Sequence, residues 1–277
     1  MEAYTDFADV YDIFMDETPY EQWADFLAGL IRQYGVSRTT AEMEKAAGTE
    51  SETAGREEAL LAERNLVLDL GCGTGTLAEL LAGKGYDMIG VDISQEMLNI
   101  ALDKKEKSGS GILYLCQDMR ELDLYSTVGT VLSVCDSVNY LLDDEEVVTV
   151  FSLVNNYLYP GGIFIFDFNT VYKYEQVIGD ATIAENRETC SFIWENYYHQ
   201  EQHVNEYDLT IFTRTGTEGL YRRFTETHFQ RGYTKEEMIR FVELAGMKAV
   251  LLLDADTHKA PTETSERIYV IAREDGK

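Results

Sequence analysis

Basic residues are scarce in this chain: 23 Lys and Arg stand against 50 Asp and Glu among 277 residues, a formal charge of −27. So acidic a surface repels phosphate backbones and anionic lipid heads, and no basic run forms a local patch, so neither nucleic acid nor membrane is expected as a partner. Long apolar runs are missing too. No window approaches the roughly 18 apolar residues of a membrane helix, and the N-terminus, with Glu2 and Asp6, lacks a basic-then-apolar signal pattern. Cys72, Cys116, Cys135 and Cys190 are scattered, with no C-x-x-C pair. That argues against disulfides and against zinc or another metal. Three of them sit in or beside apolar strand-like runs, where the thiol behaves as a small buried hydrophobe. A reducing, cytoplasmic setting is expected, and no internal repeat is visible.

What is present supports a folded chain. A hydrophobic content of 45% and an aromatic content of 12% suffice for a packed core. The length suits one large α/β domain with an insertion, or two small domains. The most informative stretch is Val67-Leu68-Asp69-Leu70-Gly71-Cys72-Gly73-Thr74-Gly75-Thr76-Leu77. A short apolar run reads as a buried parallel strand that breaks into a tight turn, and a helical pattern follows from Leu77. Glycines there permit positive φ and let a ligand approach without meeting a Cβ, and the amides opening the helix face that ligand.

Residues 1–35 read as a helical lid. Tyr4, Phe7 and Tyr11 share a face with Asp12 beside them, and Trp23, Leu27, Leu30 and Tyr34 mark a second helix that Gly35 ends. Residues 36–64 read as an acidic, polar connector, solvated and flexible or partly helical, with a helix drawable through 56–64. From residue 66 a strand–helix alternation sets in, with strands at 66–70, 88–92, 112–116, 128–134 and 163–168. Ser94 is placed to cap one helix and Asp143 or Asp144 another, which Pro160-Gly161-Gly162 stops. Residues 171–230 break the rhythm with Thr-, Tyr- and Phe-rich runs, which predict three or four antiparallel strands. A capping box at Thr234–Glu237 then opens a helix, and strands at 248–253 and 267–272 close the chain. The expected fold is α/β: a doubly wound, mainly parallel seven-stranded Rossmann-like sheet with an inserted small antiparallel β-sheet and an N-terminal helical lid. The cofactor domain comprises 65–170 and 231–277. The insertion at 171–230 is expected to cover the substrate and to offer a homodimer face.

In such sheets ligands bind beyond the carboxyl ends of the strands. Asp69, Asp92, Asp118 and Asp136 fall at four consecutive strand ends, and Asp92 lies 21 residues past Gly71, where an acid can accept hydrogen bonds from ribose hydroxyls. Any one of them could be a cap, but four beside a glycine turn indicate a site. A dinucleotide fingerprint needs Gly-x-Gly-x-x-Gly, and Thr76 occupies its sixth position. Asp69 disfavours a pyrophosphate and suits a ligand with an amino or sulfonium cation. On charge, S-adenosyl-L-methionine fits.

On these motifs, with Gly90-Val91-Asp92-Ile93-Ser94, Gln117-Asp118-Met119-Arg120 and Pro160-Gly161-Gly162, the chain resembles the class I S-adenosylmethionine-dependent methyltransferases over about residues 60–272. Tyr11-Asp12, Pro19-Tyr20-Glu21-Gln22-Trp23 and Cys135-Asp136-Ser137 resemble the bacterial small-molecule group of YqeM-like proteins and amino-sugar N,N-dimethyltransferases. The resemblance implies a backbone of Gly71, Cys72, Gly73 and Gly75 along the methionine portion, with Asp69 nearby. It implies Asp92, Ile93 and Met97 around the ribose, and Asp118 and Met119 at the adenine. Cys135 and Asp136 would meet the methionine amine, and Tyr11 and Tyr20 would close over the cofactor. The long 36–64 connector departs from the group's compact pattern.

The expected reaction is in-line methyl transfer to an oxygen or nitrogen of a small-molecule acceptor. Its demands are a near-attack geometry, exclusion of water and, for some nucleophiles, a base. Glu226 and His228, two apart on one strand of the insertion, are the expected base pair, with Asp136 as the runner-up. The alternatives are a noncatalytic S-adenosylmethionine or nucleotide-binding protein and an NAD-dependent oxidoreductase, the latter opposed by Thr76.

Overall fold

The structure, a computed structural model, describes residues 7–46, 62–216 and 219–277. Tyr4, and most of the helix drawable through 56–64, lie outside the described residues. Before the sheet, the described residues include the helices α1 (Ala8–Phe14), α2 (Tyr20–Tyr34) and α3 (Thr40–Ala46). The alternating part runs β1 (Leu66–Leu70), α4 (Thr76–Gly83), β2 (Asp87–Asp92), α5 (Gln95–Ser108), β3 (Leu113–Cys116), β4 (Val128–Ser133), α6 (Asp144–Tyr157) and β5 (Leu158–Asn169). Then come β6 (Thr182–Asn186), β7 (Cys190–His199), β8 (Val204–Thr215) and β9 (Leu220–Arg231), followed by α7 (Lys235–Leu244), β10 (Met247–Asp254) and β11 (Arg267–Glu274).

Seven strands form one sheet in the order β10-β11-β5-β4-β1-β2-β3, in which only β11 runs against its neighbours. The strand order reverses between β1 and β4, so a crevice opens at their carboxyl ends. Burial on both faces explains the uninterrupted apolar strands. In β5, Phe164, Phe166 and Phe168 pack toward Phe151 of α6 and Phe241 of α7, while Ile163 and Ile165 face Leu27 and Ile31 of α2 and Leu77 and Leu81 of α4. Two of the caps read from sequence form: Ser94 Oγ accepts from the Met97 amide at 3.1 Å, and Thr234 and Glu237 make a reciprocal capping box, whereas Asp143 stands at the N-terminus of α6 without a side-chain capping bond.

Two segments differ from expectation. β5 begins at Leu158, just after α6, and passes through Pro160, because an irregularity between its pairings to Val128 and Thr130 loops out the Pro-Gly-Gly turn. The missing N–H of Pro160 costs nothing at such a bulge. The connector is also less solvated than its composition suggests. Ser37 is fully buried and bonds Thr130 Oγ1 at 2.9 Å, so residues 36–39 belong to the edge of the core.

β6-β7-β8-β9 form a separate antiparallel meander. Its alternation in β8 is as the sequence pattern implies, with Tyr207, Leu209 and Ile211 buried on one side. Asn139, fully buried in the 3₁₀ turn Ser137–Tyr140, joins the two sheets. Its amide donates to the carbonyls of Asn169 (3.0 Å) at the end of β5 and Arg231 (2.7 Å) at the end of β9, and its Oδ1 accepts from the Asn169 amide at 2.8 Å. Asn139→Ala strands these buried groups and should lower stability by about 2–3 kcal/mol, read as a lower midpoint of urea denaturation.

Candidate functional site

A cavity of about 530 Å³ opens at the switch point. β1 contributes Asp69 and Leu70, followed by Gly71, Cys72, Gly73 and Thr74 of the turn; β2 contributes Asp92 with Ile93 after it. Gln117, Asp118, Met119 and Arg120 follow β3, and Val134, Cys135, Ser137 and Tyr140 follow β4. Tyr11 of α1 and Tyr20 and Trp23 of α2 close the open side.

The glycine turn is shaped by what surrounds it. Gly71 has φ +81°, and a Cβ there would lie 2.5 Å from Ser137 Oγ, so glycine lets the turn after β4 close against the turn after β1. At Gly73, φ +54°, a Cβ would meet nothing within 4 Å; that space belongs to the cavity. Asp92 holds the turn from the side, its Oδ2 accepting from the Gly73 amide (2.8 Å) and its Oδ1 from Ser94 (2.9 Å). Each oxygen keeps a lone pair for a ligand hydroxyl. α1 is fastened to the same turn: Asp12 accepts from Thr74 Oγ1 at 2.7 Å and pairs with Lys104 at 2.6 Å, and Lys104 also donates to Thr76 Oγ1.

Asp69 is only 2% exposed, and its carboxylate accepts no side-chain or backbone hydrogen bond from any described residue. Burial, with the Asp92 charge nearby, pushes its pKa up to about 7. A carboxylate without a donor is costly in a low-dielectric site, and a cation placed in the cavity would relieve it. Burial also pushes Asp92 upward, against the pull of the Ser94 and Gly73 amides. Asp118 moves the other way, because Arg120 bonds both of its oxygens.

The turn after β4 is strained. Cys135 and Asp136 have φ of +64° and +55°, left-handed values that non-glycine residues avoid. Asp167, fully buried near the end of β5, accepts both of their amides, at 3.2 and 2.8 Å, and lies 3.6 Å from Arg267. The Arg267 guanidinium in turn sits 4.9 Å from the centroid of the Trp23 ring. Burial, with Asp136 and Asp167 beside it, pushes the Cys135 thiol up to about 12, so it is neutral and no nucleophile.

Of the residues singled out from sequence, Tyr11, Tyr20, Asp69, Gly71, Cys72, Gly73, Asp92, Ile93, Met97, Asp118, Met119 and Cys135 line this cavity, and Gly75 and Asp136 do not. The Asp136 carboxylate turns away to Gln230 Nε2 (2.6 Å) and Asn169 Nδ2 (3.3 Å). Glu226 and His228 are 3% and 2% exposed and stand behind the wall. No described residue of 171–230 lines the cavity; the inserted sheet instead packs Leu209 and Ile211 against Val10 and Phe14 of α1. Sequence reasoning missed Trp23, Tyr140, Arg120 and the support from Asp167. The signals were there, since Trp23 ends the Pro19–Trp23 run, Tyr140 stands three residues past Cys135-Asp136-Ser137, and Asp167 is a lone acid in an apolar strand.

Residues 67–162 match the family described as a methyltransferase domain. A protein of Geobacillus sp. (strain WCH70), named as a methyltransferase, is 36% identical over 98% of this chain and 99% of its own length. YqeM of Bacillus subtilis (strain 168), also named as a methyltransferase, is 32% identical over 98% of this chain and 96% of its own length. The chain belongs to the S-adenosylmethionine-dependent methyltransferases. In structure it is similar to an S-adenosylmethionine-dependent methyltransferase from Clostridium acetobutylicum ATCC 824, with TM-score 0.77 and 29% identity over 99% of this chain and all of that one. Over 58% of this chain and 56% of the relative it is 29% identical to a dTDP-3-amino-3,4,6-trideoxy-alpha-D-glucopyranose N,N-dimethyltransferase of Streptomyces venezuelae. The residues present fit the cofactor: Gly73 leaves a space that a Cβ would enter, and the buried Asp69 carboxylate faces the cavity without a described donor.

Asp69 also sets a pH dependence. Its folded pKa is raised to about 7, whereas unfolded it titrates near ~3.9. Between those values the unfolded state binds fewer protons, so this group's contribution to stability falls as pH rises from about 4 to 7. Without ligand, Asp69→Asn should show a shallower fall than the unaltered chain when urea denaturation at pH 5 and pH 8 is compared.

Proposed function

We propose that this methyltransferase acts in the cytoplasm on a small-molecule acceptor, at an oxygen or nitrogen atom. When bound, S-adenosylmethionine supplies an electrophilic methyl carbon on a sulfonium that becomes neutral as the acceptor takes the methyl. The observation that carries the residue assignment is Asp69, a buried carboxylate facing the cavity with no described hydrogen-bond donor. We assign Asp69 to the cofactor's cationic methionine end, with the glycine-turn backbone and the chain at Cys135. Asp92 keeps lone pairs for the ribose hydroxyls. Ile93, 61% exposed, and Met119 offer apolar surface to the adenine, and Asp118 accepts at its edge. Tyr11, Tyr20 and Trp23 exclude water and hold the acceptor in line with the methyl group.

The cavity's size suits a cofactor and a small molecule rather than a polymer segment. Its charged lining favours an amine. Asp69, Asp92, Glu96 and Asp118 carry acid, and the one basic side chain among the described lining residues, Arg120, is shared between Asp118 and Glu146. A cation is therefore attracted where a phosphate or carboxylate is repelled, and the tyrosine and tryptophan rings suit a cationic amine. The amino-sugar relative supports the same reading.

The test is a screen of amines, amino sugars and hydroxylated small molecules for conversion of S-adenosylmethionine to S-adenosylhomocysteine; turnover confined to protein or RNA would sink the reading. Two binding measurements check the residue assignment. Because a bound cation favours ionised Asp69, calorimetry with S-adenosylmethionine should show proton release near pH 6 that disappears by pH 8.5. Gly73→Val accepts about 1–2 kcal/mol of left-handed strain, should keep a folded spectrum by circular dichroism, and should lose cofactor binding. Retained affinity would overturn the assigned loop geometry.

A further inference from the structure

We infer that the methyl acceptor carries an anionic group, a carboxylate or a phosphate, which Arg267 and Lys173 hold at the carboxyl end of β5 while the amine enters the cavity. This rests on the amine-methylation reading above and adds which amines fit: those with an anionic oxygen group a few bonds from the nitrogen.

Arg267 opens β11 directly opposite Asn169, the last residue of β5, and residues so paired in an antiparallel ladder project from the same face. Asn169 is buried and its side-chain amide is fixed. Its Nδ2 donates to the Tyr174 hydroxyl at 2.9 Å and to Asp136 Oδ2 at 3.3 Å, and its Oδ1 accepts from Lys173 Nζ at 2.9 Å. Two cations therefore flank one amide. They stand one strand away from β4, whose following turn brings Cys135 to the cavity. The Arg267 guanidinium also lies 4.9 Å from the centroid of the Trp23 ring, which lines the cavity, so this corner adjoins the cavity at Trp23.

What the corner offers is unused donors. Among the described residues the Arg267 guanidinium makes no hydrogen bond. Its acid, Asp167, lies at 3.6 Å and is already taken up by the Cys135 and Asp136 amides. Lys173 bonds Asn169 alone and forms no ion pair with a described residue. The Arg267 side chain is 20% exposed, so a ligand can reach it. Asp167 and Asp136 balance the two positive charges, so a ligand gains here from hydrogen bonds rather than from net charge. A guanidinium presents its N–H groups as a fork that two oxygens of a carboxylate or phosphate satisfy together, and the ammonium beside it serves a remaining lone pair. Charge inside the cavity fixes the direction of entry. Asp69 and Asp92 attract a cation and repel an anion, so a molecule bearing both groups enters amine first and leaves its anion at Arg267 and Lys173. Held at both ends, its nitrogen is kept close to the methyl donor.

The test uses the full chain saturated with S-adenosylhomocysteine, titrated by calorimetry with γ-aminobutyrate, phosphoethanolamine and n-butylamine. We expect each anionic amine to bind at least about 10-fold more tightly than butylamine, and the tighter of the two tells whether the group is a carboxylate or a phosphate. Lys173→Met should remove most of that preference while leaving affinity for S-adenosylhomocysteine unchanged. Arg267→Lys, which keeps the charge beside Asp167 but loses the fork, should reduce it as well. Butylamine binding as tightly as the anionic amines, no binding by any of the three, or a preference that survives both substitutions overturns the proposal. So does a change confined to S-adenosylhomocysteine affinity, which is what a pair that only braces the turn after β4 would produce. Cofactor binding and turnover by the unaltered chain are measured apart from these titrations, so failure of the anion site stays distinct from failure of the methyl-transfer reading.

Discussion

The buried Asp167 carboxylate is the constraint on which the site depends. It accepts the amides of Cys135 and Asp136 and so holds two left-handed non-glycine residues at the end of β4. Left to itself, such a turn would relax, since each residue costs of the order of 1–2 kcal/mol. Burial pushes the Asp167 pKa up, and Arg267 opposes that, staying charged beside it. The turn so held directs the 3₁₀ turn Ser137–Tyr140, which packs Ser137 against Gly71, places Asn139 between the two sheets and brings Tyr140 to the cavity wall. Because the Arg267 guanidinium also lies over Trp23, the same pair connects the sheet's interior to the helix that covers the site.

The cover is built in layers. α1 lies between the glycine turn, through Asp12, Thr74 and Lys104, and the inner face of the inserted sheet, through Val10, Leu209 and Ile211. Arg187 of the insertion adds an ion pair to Asp16 after α1. The polar contacts set where the helix sits, and the apolar ones supply most of the energy of docking it. The insertion thus shapes the cavity from one layer back.

Much of this was readable beforehand, for identifiable reasons. The strand–helix alternation follows from apolar runs that must be buried on both faces, and the glycine turn from spacing that only a strand-to-helix junction uses. The acids at 69, 92 and 118 could be placed because strand ends in such a sheet converge. Asp136 shares that position in sequence but not in space, since left-handed backbone at 135 and 136 swings its side chain toward Gln230. Glu226 and His228 were recognisable as a pair because β-strand periodicity puts them on one face. Which neighbour that face would meet depends on how two sheets pack, and local pattern does not encode it. Composition misjudged residues 36–39, because Ser37 is buried by a hydrogen bond to a strand 93 residues away.

The sequence by itself determined the sheet, its glycine turn, the acids at its strand ends and the class of chemistry, because each rests on residues within one strand–turn–helix unit or on a period of two or 3.6. Tertiary structure alone decided that Asp69 is left without a described donor, that Tyr140 rather than the insertion faces the cavity, and that Asp167 holds the turn that puts it there. Those facts depend on burial and on contacts between segments about 30 to 100 residues apart. Only the folded chain brings such groups into one low-dielectric space, where a single hydrogen bond decides which way a side chain points.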